Sequence, residues 1–283
     1  MQKQINATSL TIIPKNNTPT SLNDYRPIAC CTVLYKIISK ILTARLSTIL
    51  PRLINPAQAA FVAGRSIVDN VLLAHELLRN YHRKSKKKNC ALKIDLRKAY
   101  DSIHWDFLEE MLLGLNFPSK FITWIMSCIR TCSFTLLING SAGGFFDAKR
   151  GLRQGDPLSP LLFVLCMEYL SRAFAANLPT DFQFHSGCKD PKIVHLSFAD
   201  DLLIFSSCRL TSVQFISNIL THFSEVSGMK VNEGKSAIFF AGTNDEVKND
   251  ILSLLRFKEG RLPITYLGVP LISSALKREH CAL

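Results

Sequence analysis

Two apolar runs, residues 193–198 and 202–205, are separated only by Ala199-Asp200-Asp201, and this pattern constrains the fold of the chain more than any other. Each run has the length and composition of a short buried strand, so the acids fall at the turn that joins them. Two adjacent carboxylates at such a place are costly unless something positive binds there. Hard divalent cations take carboxylate oxygens, which makes the hairpin a candidate metal site.

The rest of the chain narrows what such a metal would do. With 283 residues, the chain buries roughly three quarters of its unfolded surface, enough for one large domain or two small lobes. A hydrophobic fraction of 47% and a mean hydropathy of +0.15 describe an ordered globule and exclude a disordered tail. The net charge of +12 points to a polyanionic partner, nucleic acid first, although charge alone also fits a merely basic soluble protein. Nine cysteines are scattered without a CxxC pair, which suggests reduced core thiols of an intracellular protein and argues against zinc. Residues 1–15 lack a signal-peptide layout. The most apolar stretch, residues 158–167, is too short to cross a bilayer, so a core helix and no membrane are expected.

Local patterns give an irregular order of strands and helices, hence an α+β class. A strand is expected at 8–15, a helix at 33–50 stopped by Pro51, and a helix from Ser66 to about residue 82. The run His82-Arg83-Lys84-Ser85-Lys86-Lys87-Lys88 fits a solvated loop, a nucleic-acid-facing loop or a nuclear-import signal. A strand follows at 91–96, then helices at 105–116 and 119–131. Next come a hairpin turning at Asn139-Gly140 and a long helix from Pro157 and Pro160 to about 176. After the acid hairpin, a helix at 212–227 ends on Gly228. Strands at 237–241 and 264–269 flank a helix near 245–255. Trp105 and Trp124 fall at apolar helical positions and are expected in the core. His75, His104, His185 and His195 show no ligand spacing and read as structural.

A two-metal site needs carboxylates from more than one segment. Asp95, which ends the run Leu92-Lys93-Ile94, is the best-placed second source, and it reads equally well as a helix cap before residues 96–100.

Three segments in this order carry a resemblance: Asp95-Leu96-Arg97-Lys98-Ala99-Tyr100-Asp101, then Gly151-Leu152-Arg153-Gln154-Gly155-Asp156-Pro157-Leu158-Ser159-Pro160, then Phe198-Ala199-Asp200-Asp201. Together they resemble the signature of reverse transcriptases, and most closely the LINE-type, non-long-terminal-repeat retrotransposon branch. Ile12-Ile13-Pro14-Lys15 and Tyr25-Arg26-Pro27-Ile28 resemble fingers segments. Gln58-Ala59-Ala60-Phe61 with Gly64-Arg65 resembles an insertion typical of that branch. Asn232-Glu233-Gly234-Lys235-Ser236 and Tyr266-Leu267-Gly268-Val269-Pro270 resemble the last palm motif and the primer grip.

The resemblance covers residues 9–272 and implies a right-hand polymerase fold. Fingers are expected at about 9–90 and in part of 100–155, with the palm in the remainder and a truncated tail at 273–283. It implies an RNA-directed DNA polymerase that extends a DNA primer on an RNA template with dNTPs. Asp95, Asp200, Asp201 and the Leu96 carbonyl would hold two Mg²⁺ ions, with Mn²⁺ as a substitute, and Lys235 would act as general acid. Lys15, Arg26, Leu96, Tyr100, Gln154 and Gly155 would bind the nucleotide, with Tyr100 excluding a ribose 2′-hydroxyl unless it is simply core packing. Tyr266, Leu267 and Gly268 would grip the primer. Asp101, Asp106 and Asp156 read as caps or turn residues. A nuclear location follows from the resemblance alone. The match ends close to the C-terminus, so a thumb, an endonuclease and a ribonuclease H segment are expected to be absent, as in a fragment. The alternative is a nucleic-acid-binding remnant without catalysis; a viral RNA-making polymerase is disfavoured by Tyr100 and Ala199.

Overall fold

A computed structural model describes residues 1–79, 81, 87–138 and 141–273. Most of the basic run, the Asn139-Gly140 turn and nearly all of the tail lie outside the described residues. In chain order the first elements are α1 (Lys3–Asn6), β1 (Ala7–Pro14), β2 (Tyr25–Cys31), α2 (Val33–Leu53), α3 (Ile67–Leu78), β3 (Asn89–Ile94), α4 (Ala99–Ser102), α5 (Trp105–Gly114) and α6 (Ser119–Arg130). They are followed by β4 (Ser133–Ile138), β5 (Ser141–Asp147), α7 (Ser159–Ala176), β6 (His195–Phe198), β7 (Asp201–Ser207), α8 (Leu210–Ser227), β8 (Ala237–Ala241), α9 (Asp245–Leu255), β9 (Lys258–Glu259), β10 (Ile264–Tyr266) and β11 (Val269–Leu271). The order is that of an α+β protein. The chain forms two compact units, the first made of Met1–Leu53 with Lys98–Cys166 and the second of Ile54–Arg97 with Met167–Leu283.

The first unit is built on a four-stranded sheet in the order β2-β1-β4-β5. Strand β2 contains Pro27, which has no N–H to give, and it sits at the sheet edge, where that loss is tolerated. Helix α2 continues past Pro51 to Leu53 instead of stopping there. Proline's fixed φ is itself helical, so near a helix end it removes one bond without forcing a break. Trp124 is 41% exposed with Lys120 Nζ 5.6 Å from its ring centroid, and so lies outside the core.

A buried polar network ties this unit together. The Arg153 guanidinium, 7% exposed, donates to Asn6 Oδ1 at 2.7 Å, to Thr8 Oγ1 at 3.1 Å and to the Cys128 carbonyl at 3.1 Å. It pairs with Asp156 at 3.2 Å and lies over the Tyr35 ring at 3.8 Å. Asp156 in turn accepts from the hydroxyls of Tyr35 and Ser39 and from the Leu158 amide. Burial and the Asp156 charge push the Tyr35 phenol far above its ordinary pKa.

Beside this network the chain needs Gly151. Its φ is +84°, and a Cβ there would lie 2.8 Å from the Asp101 carbonyl oxygen. The Gly151 amide donates to Ile103 O at 2.8 Å, and its carbonyl accepts from Trp105 Nε1 at 2.8 Å, so neither chain segment is free to move away. Gly151→Ala is expected to cost about 2–4 kcal/mol, from left-handed strain plus overpacking. Chemical denaturation measures it, and an unchanged midpoint would show that the loop relaxes.

The second unit is built on a five-stranded sheet in the order β6-β7-β3-β8-β9. The central β3 is buried along nearly its whole length, which suits its apolar run. Leu77, Leu78, Ala91, Leu203, Phe205, Tyr266 and Leu271 share one core cluster. His195 is buried against Ser171 Oγ at 2.9 Å, and burial lowers its pKa to about 4, so it is a neutral structural histidine. The single strand expected at 264–269 is instead a hairpin, β10 and β11, around Leu267-Gly268. Both turn residues have positive φ, 51° and 81°, the pattern of a two-residue I′ turn. Helix α7 is long and apolar enough to cross a membrane, but 72% of it is buried within the protein, as in a core helix.

The eight described cysteines are free thiols, and Cys30 alone among them is exposed.

Candidate active site

Strands β6 and β7 form the expected hairpin. Phe198 pairs with Asp201, leaving Ala199 and Asp200 as the turn. Ala199 holds φ at 54°, as the first residue of a two-residue hairpin turn can, although it is not glycine. In the antiparallel register of β3 with β7, Ile94 faces Leu202. One step further along both strands places Asp95 directly opposite Asp201. The three carboxylates that the sequence singles out thus share one end of this sheet.

Asp95 is held from the loop before β8. Asn232 Nδ2 donates to its carboxylate at 2.9 Å, and the Asn232 amide donates to its carbonyl at 2.7 Å. The Asp95 amide donates to Ser236 Oγ at 3.1 Å. Leu96, 6% exposed, continues the contact as a bridge to Val231. Asp95 is therefore a strand-end residue with a fixed backbone and one anchored oxygen, and not the cap of a following helix.

The electrostatics are those of crowded like charges. Asp201 is reached by solvent, yet the protein mass around it, then Asp200, and more weakly Asp95, raise its pKa, with Lys93 opposing them. Lys93 lies two residues before Asp95 on the same face of β3, and its ammonium donates to Thr265 O of β10 at 2.8 Å. Among the described residues, no group of three or more His, Cys, Asp or Glu side chains already converges on one point as a metal cage. The donor chemistry still fits a hard divalent cation: three carboxylates sit at one strand end, and Asp200 and Asp95 add to the burial that raises the Asp201 pKa.

In the same unit, Lys235 is exposed, and its amide closes a turn onto Asn232 O at 3.1 Å. Tyr266 is 1% exposed and belongs to the core, while Thr265 and Gly268 of its hairpin are exposed and Leu267 is half-buried.

The first unit holds the remaining candidates. Lys15 and Arg26 stand exposed at the loop end of the β1–β2 hairpin. The Tyr100 ring stacks on Phe163, with centroids 4.5 Å apart and planes within 2°. Gln154 accepts from the Ala29 amide at 2.8 Å, and Gly155 brings its backbone against Ala29 O. Gln154 also hydrogen-bonds Asp101, whose pKa burial raises while Lys98, Gln154 and Lys15 oppose it. Asp101, Gln154, Trp105, Phe134, Phe146 and Arg150 are among the residues lining a cavity of about 390 Å³. Asp101 therefore belongs to this cavity as well as to its helix.

Comparison with known proteins gives the chain a family. Residues 13–271 match the family model described as "Reverse transcriptase (RNA-dependent DNA polymerase)". The chain belongs to the reverse transcriptases. It is 27% identical over 97% of its length to the "Transposon TX1 uncharacterized 149 kDa protein" of Xenopus laevis. Over 79% of its length it is 29% identical to the "Retrovirus-related Pol polyprotein from type-2 retrotransposable element R2DM" of Drosophila melanogaster. These retroelement relatives place this reverse transcriptase domain in the LINE-type, non-long-terminal-repeat branch. It spans about a fifth of their length, 21% and 20%. Among solved structures it resembles apo telomerase from Candida tropicalis truncated from its C-terminal domain, with a TM-score of 0.64 at 14% identity over 97% of this chain and 55% of that one. Telomerase from the same organism with a fragment of telomeric RNA gives 0.63 at 13% identity, covering 100% and 46%. The expected right-hand polymerase fold is thereby met. Reverse transcriptases as a family use divalent metal ions and a nucleic-acid template.

Two residues at the site carried no functional expectation. Asn232 lies in a quoted motif without a role of its own, and Gln58 lies in the LINE-type insertion. Neither is an acid, and their partners are 137 and 141 positions away, so only the fold reveals them.

Proposed function

We propose that this domain extends a DNA primer 3′-hydroxyl on an RNA template with dNTPs, using two Mg²⁺ ions held by Asp95, Asp200, Asp201 and the Leu96 carbonyl. The observation that carries the reading is the register that sets Asp95 opposite Asp201 with Asp200 on the adjoining turn. When bound, the metals would lower the pKa of the attacking hydroxyl and neutralise the triphosphate. The chain's own part is positioning. Asn232 fixes one Asp95 oxygen. Lys15 and Arg26, exposed at one hairpin end, would clamp the triphosphate, where Arg suits bidentate contact. Gln154 and Gly155, pinned to β2, would form the floor under the base. Lys235 would deliver a proton to pyrophosphate. The Leu267-Gly268 tip would meet the primer, with Tyr266 anchoring it in the core and Lys93 tying its strand to β3. In this reading the fingers, about residues 9–90 with part of 100–155, would carry Lys15, Arg26, Gln154 and Gly155, and the palm, the remainder, would carry the three carboxylates.

The face-to-face stack on Phe163 keeps the Tyr100 ring from swinging aside. A ring held in this way would strike a ribose 2′-hydroxyl. Tyr100→Ala is expected to reduce the preference for dNTP over rNTP by roughly 10–100-fold. Single-nucleotide incorporation with competing substrates reads this directly, and an unchanged ratio would assign Tyr100 to packing alone. The function itself is tested by primer extension on an RNA template. RNA binding that weakens with salt, without any incorporation, would favour a non-catalytic binding remnant.

A further inference from the structure

We propose that Gln58 is a positioning residue that sets the turn carrying Asp200. This rests on the metal reading above and goes beyond it to a residue outside the acidic cluster. Gln58 is 2% exposed, so both polar atoms of its amide need partners within the protein. Its Oε1 accepts from the Ala199 amide at 3.0 Å and from Ala60 N at 2.9 Å, and its Nε2 donates to the Ala199 carbonyl at 3.3 Å. One side chain therefore meets both backbone polar groups of the residue that precedes Asp200.

The backbone around Gln58 explains how the side chain reaches. Gln58 bridges Ser197 in parallel, the Ala59 amide donates to Ser197 O at 3.0 Å, and the Ser197 amide donates to Ala57 O at 2.9 Å. These residues add a short rung beside β6, and the Gln58 side chain continues that ladder one step, acting as a peptide group for Ala199. The rung is itself braced. The Arg65 guanidinium donates to the carbonyls of Ile54 and Asn55 at 2.6 Å each and to that of Gln58. Asn70 Nδ2 donates to Ser197 O at 2.9 Å.

The clamp acts at the one residue of the hairpin with positive φ, 54° at Ala199. A non-glycine residue there is strained and persists when its surroundings over-determine it. Loosening Ala199 moves Asp200, the next residue, more directly than it moves the core. The insertion that contributes Gln58 and Arg65 thus gains a job: it fixes the geometry of the acid pair from behind.

The test is Mn²⁺ binding by electron paramagnetic resonance on the full chain, with melting followed by circular dichroism. Gln58→Met keeps the shape and removes both bonds to Ala199. Gln58→Asn keeps an amide but is one methylene too short, and covers the case in which Gln58→Met does not fold. Both are expected to weaken Mn²⁺ binding by about 10–100-fold, the usual cost of losing a group that orients a ligand. In primer extension kcat should fall while the dNTP KM stays near wild type. Asp200→Ala serves as the reference for lost binding. Wild-type Mn²⁺ affinity in a folded Gln58 variant, beside loss in Asp200→Ala, would overturn the positioning role and leave the metal reading standing. No Mn²⁺ binding by wild type would overturn both.

Discussion

Replacing Asp95 by alanine is expected to lower deoxynucleotide incorporation by about 10³-fold or more, corresponding to the loss of several kcal/mol of charge stabilisation at a metal site. Asp95 lies one step beyond the Ile94–Leu202 pair, level with Asp201, and Asp200 is on the adjoining turn. Removing Asp95 leaves metals held from one hairpin alone. The fold should survive, because the Asp95 main chain keeps its bonds: its carbonyl accepts from the Asn232 amide and its amide donates to Ser236 Oγ. Asp95→Asn separates charge from shape: it keeps a side chain for Asn232 to meet but carries no negative charge, and it should lose nearly as much activity. Full incorporation by Asp95→Asn would show that the carboxylate charge is not what the reaction needs.

Asp156→Ala should produce the largest loss of stability in the first unit, about 3–5 kcal/mol, because it strands a buried guanidinium. Arg153 would keep Asn6, Thr8 and the Cys128 carbonyl as neutral acceptors, without a counter-charge. The Tyr35 and Ser39 hydroxyls and the Leu158 amide would lose their common acceptor in the same step. Against a total stability of roughly 5–15 kcal/mol, this brings the unit close to unfolding. Urea denaturation is the measurement. A change under about 1 kcal/mol, the scale of an exposed ion pair, would mean that water or another residue satisfies Arg153.

What the sequence made legible was local. Helices α6, α8 and α9 and strand β8 fall close to where apolar spacing and caps put them. The acid hairpin was readable because a two-residue turn between buried strands leaves few alternatives. The features that escaped depend on distant partners. Strand β2 contains a proline and no clean alternation, and exists because the β1 edge accepts it. The β10–β11 hairpin was read as one strand because its turn, Leu267-Gly268, carries no Asn or Asp to announce it. Asp156 read as a turn residue, and its contact with Tyr35 spans 121 positions. Trp124 has helical apolar spacing, but its neighbours leave it at the surface. At the site, the acids could be named from their charge, whereas Gln58 and Asn232 could not, since an amide has no sequence signature until its partner is known.

In the proposed reading, Asp95, Asp200 and Asp201 form a metal site that serves templated DNA synthesis. Primer extension on an RNA template with dNTPs and Mg²⁺, run beside Asp200→Ala and beside the same reaction with chelator, tests it most directly. The account predicts templated extension by the wild type that is lost in both controls. Wild-type extension no greater than that of Asp200→Ala would contradict it.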